Sequence, residues 1–320
     1  MNMVRYRYYL GLVIPMLLAS CESANITDEP AGKSNALVIR AMAGGSSTRA
    51  SGSNWDKGDE IGVSVGGTQT YRNVKYRNTS ESGPVGIFEN VGNIPVTLNP
   101  GETHDVYAYY PFMGVEGKTV SVPIDFTDQS KAFDIMWAPL TTVDGSHPDL
   151  NLEFEHQLCR YRFIVECDED VDVRDCPIFL SGLSMRGTFS IDATGKPSIT
   201  VNSEDSGPFK IGKAPAETGL TETAEVYDIQ INTEDNIVHG YTVEGLILPQ
   251  DAPAFILYLG DPTSGNEFRA SNPGRLRFNP GELCIFRVGV RKDSKSFDMN
   301  CSISRWGYGS SLIGKDITDQ

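Results

Sequence analysis

Short apolar runs rich in Val, Ile, Tyr and Phe recur along the chain. Gly, Pro, Asn and Asp interrupt them at the spacing of roughly ten residues typical of β-sandwiches and barrels. Strands are predicted at 36–42 (ALVIRAM), 60–65 (EIGVSV), 104–110 (HDVYAYY), 120–124 (VSVPI) and 160–165 (RYRFIV). More follow at 177–183 (PIFLSGL), 225–231 (EVYDIQI), 240–248 (GYTVEGLIL), 255–259 (FILYL) and 283–290 (LCIFRVGV). No stretch of more than about ten residues carries the 3.6-residue apolar period of an amphipathic helix. In the first run, period-two alternation puts Leu37, Ile39 and Ala41 on one side. In the third, it separates Tyr107 and Tyr109 from Val106, Ala108 and Tyr110.

The tetrapeptide NPGE occurs at 99–102 and again at 279–282. Pro at the second position and Gly at the third suit a type II turn. Each copy runs into an apolar, aromatic-rich strand, which fits two β-domains of similar plan. The polar, turn-rich segment 143–151 (VDGSHPDLN) is the expected junction.

The N-terminus departs from this pattern. Arg5 and Arg7 precede a short apolar run, LGLVIPMLLA, which is interrupted by Pro15 and too short to span a bilayer as a helix. It ends in Leu18-Ala19-Ser20-Cys21, the form of a bacterial lipoprotein signal, in which the cysteine becomes the acylated N-terminus. Acyl chains on Cys21 would hold an otherwise soluble chain at a membrane. A polar tether follows, and then GGSSTRASGSNW (44–55) places one basic residue, Arg49, in a Gly/Ser-rich loop between the first strand and Trp55.

Charge and chemistry narrow the reading. The net charge is −15, and loss of residues 1–20 removes Arg5 and Arg7 and takes it to −17, which disfavours nucleic acid as a partner. GVEGKT (114–119) has Phe112 where a phosphate loop needs its first glycine. DEDVDV (168–173) has Val173 and Phe179 where an EF-hand loop needs Gly and Glu. His104, His147, His156 and His239 are scattered, and no nucleophile elbow is present. His156 reads as a packed, hydrogen-bonded strand residue. Besides Cys21 there are five cysteines, none in a C-x-x-C pair. Cys159, Cys284 and Cys301 read as small buried strand residues, and a disulfide between two of the five stays open. These observations point to a non-enzyme, with no catalytic residues, metal or cofactor. The aromatics at 107–112 read as core; the rival reading is a sugar-binding platform.

Several motifs occur in a fixed order. Thr48-Arg49-Ala50 is followed by Trp55-Asp56-Lys57-Gly58-Asp59-Glu60-Ile61-Gly62-Val63, then by Ala108-Tyr109-Tyr110-Pro111-Phe112. Leu152-Glu153-Phe154-Glu155-His156-Gln157-Leu158 comes next, and CSISRWG ends the series with Trp306. Behind a lipoprotein signal, this series resembles the fimbrillin family, the fimbrillin and minor-fimbrillin-like lipoproteins of Bacteroides-type bacteria. The resemblance implies an all-β fold of two transthyretin-like antiparallel β-sandwich domains in tandem. The chain then divides into a signal peptide (1–20), a lipidated tether with a removable first strand (21–49), an N-terminal domain (50–148) and a C-terminal domain (149–320).

The resemblance also implies an assembly route. The subunit reaches the outer membrane through the lipid on Cys21, and an arginine-specific protease cuts between Arg49 and Ala50. The donor-strand segment with Leu37, Ile39 and Ala41 leaves, and a strand from another fimbrial subunit takes its place. The departing segment 21–49 carries no net charge. Residues 310–320 (SSLIGKDITDQ) offer Leu312 and Ile317 as anchors for donating a strand in turn. The implied location is the outer membrane and cell surface, in a fimbrium. The alternative is a monomeric surface lipoprotein that keeps its lipid and binds a host protein or glycan.

Overall fold

Apart from one 3-10 turn at Gln129–Lys131, every regular element among the described residues is a β-strand. The computed structural model describes residues 36–43, 54–67, 70–167, 171, 176–213, 239–252, 254–272, 274–291 and 296–306. In chain order, the first strands are β1 (Val38–Ala43), β2 (Glu60–Val65), β3 (Tyr71–Asn78), β4 (Val85–Asn90), β5 (Thr103–Tyr110), β6 (Ser121–Asp125), β7 (Met136–Asp144) and β8 (Asp149–His156). They are followed by β9 (Cys159–Cys167), β10 (Pro177–Ser181), β11 (Arg186–Ile191), β12 (Pro197–Val201), β13 (Phe209–Lys213) and β14 (His239–Ile247). The last six are β15 (Gln250–Ala252), β16 (Ile256–Leu259), β17 (Phe268–Ser271), β18 (Leu276–Phe278), β19 (Glu282–Val290) and β20 (Ser296–Arg305). The run EVYDIQI lies outside the described residues.

The all-β expectation is met. The first sheet runs in the order β1-β4-β3-β2-β5-β7-β8 and closes into a ring, with β1 antiparallel to β4 and parallel to β8. Where the sequence suggests two facing sheets, pairing along both edges of β1 joins them into a barrel. An eight-stranded sheet follows, in the order β13-β10-β16-β17-β20-β19-β9-β14. A three-stranded sheet, β12-β11-β6, draws β6 from the N-terminal half and pairs it with β11.

Among the described residues two large hydrophobic cores result, beside a small cluster of Ile164, Leu283 and Ile285. The ring encloses Ile39, Trp55, Val63, Tyr76, Phe88 and Phe154, all buried. The second core gathers Phe126, Tyr161, Phe163, Leu180, Phe189 and Phe286. Strand β5 serves both. Val106 and Ala108 sit in the ring core with Tyr110 packed against it, while Tyr109 is buried in the second core with Tyr107 against it. The alternation expected for this strand holds, and its aromatics are packing residues. The Tyr109 hydroxyl lies 2.7 Å from Asn73 Oδ1 and 2.6 Å from the Met113 carbonyl oxygen, and it accepts from the Met113 amide at 3.0 Å. Burial pushes this phenol well above its usual pKa. Cys159 and Cys284 are buried in the second core with their Sγ atoms 3.5 Å apart, and Cys301 packs against it, as small strand residues do.

Both NPGE segments are turns of one kind. The Glu102 amide donates to the Asn99 carbonyl at 3.2 Å, and Glu282 to Asn279 at 3.4 Å. Gly101 and Gly281 take φ of +80° and +72°, the left-handed region that a type II turn requires at its third position. In each, the Asn side-chain amide donates to the Glu carboxylate at 3.1 Å. The first turn is clasped by the one joining β7 and β8: the Gly145 amide donates to the Glu102 carbonyl at 2.9 Å, and the Gly101 amide to Ser146 Oγ at 2.8 Å. The second is tied to the end of β20, where the Trp306 amide donates to the Gly281 carbonyl at 2.8 Å.

These two glycines predict different costs. A Cβ at Gly101 meets nothing within 4 Å but sits at positive φ, so Gly101→Ala should cost about 1–2 kcal/mol. A Cβ at Gly145 would stand 2.0 Å from the Asn99 carbonyl oxygen, where the backbone itself must move. Gly145→Ala should therefore lower the thermal unfolding midpoint further than Gly101→Ala does. Calorimetry of the two variants checks the order.

Candidate functional site

The site is the groove that β1 occupies. Leu37, Ile39 and Ala41 are 2%, 0% and 0% exposed, so the segment singled out from sequence is fully seated in the ring. Arg40, between Ile39 and Ala41, and Met42, after them, face outward. Arg40 reaches Asp149 at 3.3 Å across an exposed pair, a contact that contributes little.

Strand β1 pairs on both sides. Against β4 the register is Ile39↔Phe88, Arg40↔Ile87, Ala41↔Gly86 and Met42↔Val85. Against β8 it runs from Val38↔Asp149 to Ala43↔Phe154. The Val38 amide donates to the Pro148 carbonyl at 3.0 Å, and Ala36 bridges to Thr97. Strand β8 alternates without a break: Leu150, Leu152, Phe154 and His156 point inward while Asp149, Asn151, Glu153 and Glu155 point out. Its register with β7 covers Met136↔His156 and Trp137↔Glu155. Over the rest of its length, β1 is its partner among the described residues.

Trp55 forms the floor of the groove. Its backbone exchanges hydrogen bonds with Gly83 at 2.8 and 2.9 Å, which fixes the entry of the chain into the ring. The ring of Trp55 is met edge-on by Phe88 at 5.0 Å, Phe154 at 5.1 Å and Tyr110 at 5.3 Å. The following Asp56–Asp59 turn is held by its own carboxylate, which accepts from the Asp56 amide at 2.7 Å and from the Tyr110 hydroxyl at 3.4 Å. Burial raises the Asp59 carboxyl above its ordinary pKa and pushes the Tyr110 phenol up to about 12.

At the far end of β8, His156 Nδ1 is 2.6 Å from Asp134 Oδ2, and its ring stacks on Trp306 at 3.9 Å. This is the packed, hydrogen-bonded histidine expected from sequence. It also explains two of the recurring motifs, since His156 and Trp306 form one contact.

The sequence-predicted site divides in two. Leu37, Ile39 and Ala41 come together on the inward face of β1. Cys21, Arg49 and Ala50 lie outside the described residues, Arg49 in the connection between Ala43 and Asn54. Sequence reading missed the walls of the groove: Gly86, Phe88 and the inward residues of β8. The L-x-L-x-F-x-H alternation of 150–156 was the available signal for β8.

Comparison with known proteins decides the kinship. The family model described as fimbrillin-like matches residues 48–306. The chain belongs to the fimbrillin-like family. Among solved structures, this fimbrillin-like chain is similar to a Bacteroides uniformis protein assigned to cell adhesion, at 19% identity over 85% of this chain and 98% of that one, with a TM-score of 0.58. It is equally similar to a Bacteroides ovatus protein assigned to the same role, at 18% identity over 86% and 99%, with a TM-score of 0.59. At these identities the likeness is one of fold. No curated protein matches the chain.

The geometry predicts an asymmetry between the two faces of β1. Ile39→Ala should destabilise the fimbrillin-like fold by about 2–5 kcal/mol, as large-to-small changes in a closed core do. Arg40→Ala should change stability by less than about 1 kcal/mol. Denaturant unfolding of both variants tests this; equal effects would mean that β1 is not the sealing strand described.

Proposed function

We propose that the protein is a structural or adhesive subunit of a cell-surface fimbria that polymerises by strand replacement. In this reading it is exported as a lipoprotein acylated on Cys21 and reaches the outer membrane. An arginine-specific protease cuts between Arg49 and Ala50. Segment 21–49 then departs with Leu37, Ile39 and Ala41, and a strand of another fimbrial subunit fills the vacated groove. The two halves of the chain follow the transthyretin-like tandem plan that the sequence motifs suggest, and their role is structural and not enzymatic.

The observation that carries this reading is the position of β1. It comes first in the ring, it is the partner of both β4 and β8, and it leads directly into the segment containing Arg49. A strand so placed can be severed by one cut without breaking any other described element. Its loss would expose two rows of main-chain N–H and C=O groups and an apolar trough, a surface that a new strand satisfies along its whole length. Membership of the fimbrillin-like family supports the fimbrial setting.

Cleavage supplies the test. Limited digestion of the folded protein with an arginine-specific protease should cut first after Arg49 and leave a product beginning at Ala50, read by N-terminal sequencing. Arg40, the rival site, lies inside a paired strand where a protease needs local unfolding. Arg49→Ala should abolish polymers on the cell surface, scored by electron microscopy. Normal polymers from the Arg49→Ala protein would rule out processing at this bond.

A further inference from the structure

The groove under β1 is not the same depth along its length. Its inward-facing occupants are Leu37, Ile39, Ala41 and Ala43, two large side chains followed by two small ones. The change coincides with the aromatic cluster. Ala41 lies opposite Gly86, and a Cβ on Gly86 would stand 2.6 Å from the Phe88 ring and 3.0 Å from Trp55 Cγ. The Phe88 ring and Trp55 together fill the space that a side chain at position 86 would take. One step further, Ala43 lies opposite Phe154, whose ring meets Trp55 at 5.1 Å. At the other end, Ile39 lies between Phe88 and Leu150, with no glycine on either side of it. The occupants of the trough are thus large where β1 enters and small where it leaves.

We infer that this taper selects the occupant of the groove: a strand running parallel to β8, with large aliphatic side chains at its first two inward positions and alanine or glycine at the next two. The inference rests on the strand-replacement reading above and adds to it the kind of partner the groove takes. A large side chain at the third inward position would have to displace a Trp ring locked by three aromatic edges, and overpacking of that kind is destabilising. The outward position 42 is unconstrained by size, because Met42 and its neighbour Val85 are both exposed. Residues 307–320 contain no large-x-large-x-small-x-small pattern in either direction. Segment 307–320 of a second copy therefore does not fit as the donor, and the strand of another subunit that fills the groove carries the pattern of residues 37–43.

The test uses the full chain cut after Arg49, with the first segment still seated. A fluorescent peptide of residues 36–43 is offered, and its exchange into the protein is followed by anisotropy. The native peptide should exchange, and a Met42→Leu peptide should match it within twofold. Ala41→Leu and Ala43→Leu peptides should bind at least tenfold more weakly. Equal binding by the Ala41→Leu peptide would overturn the taper while leaving strand replacement intact. Failure of the native peptide to exchange would overturn strand replacement, and the selection rule with it. A second measurement needs no exchange: in the uncut chain, Ala41→Leu should lower the thermal midpoint by several degrees, whereas Ile39→Leu should barely move it. An unchanged midpoint for Ala41→Leu would show that the space above Trp55 is not filled and would sink the inference.

Discussion

The closure of the first sheet depends on one strand. Sheet edges present unpaired main-chain groups, and β1 satisfies two of them at once, those of β4 and β8. The dependence is unequal. Strand β4 also pairs with β3, so it would keep one neighbour without β1. Strand β8 shares its last two residues with β7, so among the described residues most of its length would be left without a ladder partner. Burying Leu37 and Ile39 stabilises by about 1.5–3 kcal/mol each, and each ladder hydrogen bond adds a net of about 1 kcal/mol. Together these approach the whole stability of an ordinary domain. A bare groove is therefore not a resting state of this fold, and on the strand-replacement reading β1 leaves as its successor arrives.

The two cores are coupled through β5. A strand on the surface of a barrel ordinarily has a dry face and a wet face, but β5 has apolar company on both. On the ring side the small Val106 and Ala108 are followed by Tyr110 at the end of the strand, and Tyr107 and Tyr109 point the other way. Tyr109 ties the junction together with its hydroxyl, which meets Asn73 on β3 and the backbone at Met113. Asn73 is held at φ +47° and donates its side-chain amide to the Met113 and Val115 carbonyls at 3.0 and 3.1 Å. One unusual backbone position thus satisfies polar groups that the contact between the two cores would otherwise strand.

Much of the fold was legible in sequence, and the misses have physical causes. Strand 283–290 announces itself by a contiguous apolar run, Leu283 to Phe286, and 60–65 by the alternation of Ile61, Val63 and Val65. Strand β4 escaped because its pattern is inverted: Val85 and Ile87 face solvent, while the inward positions are Gly86 and Phe88. Strand β3 escaped because Asn73 puts consecutive residues inside and breaks the period of two. Strand β8 keeps a perfect period, but half its residues are acidic or amide, and it reads first as a polar junction. The inward face of β1 was readable from alternation alone. Its walls were not, because they come from segments some fifty and a hundred residues away in a register that only the closed ring defines.

The Trp55 motif shows how local sequence serves that closure. The chain enters β2 through a turn built on Asp56 and Asp59, and the Trp before it is carried under the end of β1. That placement gives the ring its largest core side chain and takes depth from the groove at the same point. A deeper groove would grip any apolar strand more strongly and discriminate less among them. Setting a Trp ring among three aromatic edges beneath it, and leaving no side chain at Gly86, trades binding area for shape. Shape is what allows one strand to be told from another when the main-chain ladder, the larger part of the attraction, is the same for all of them.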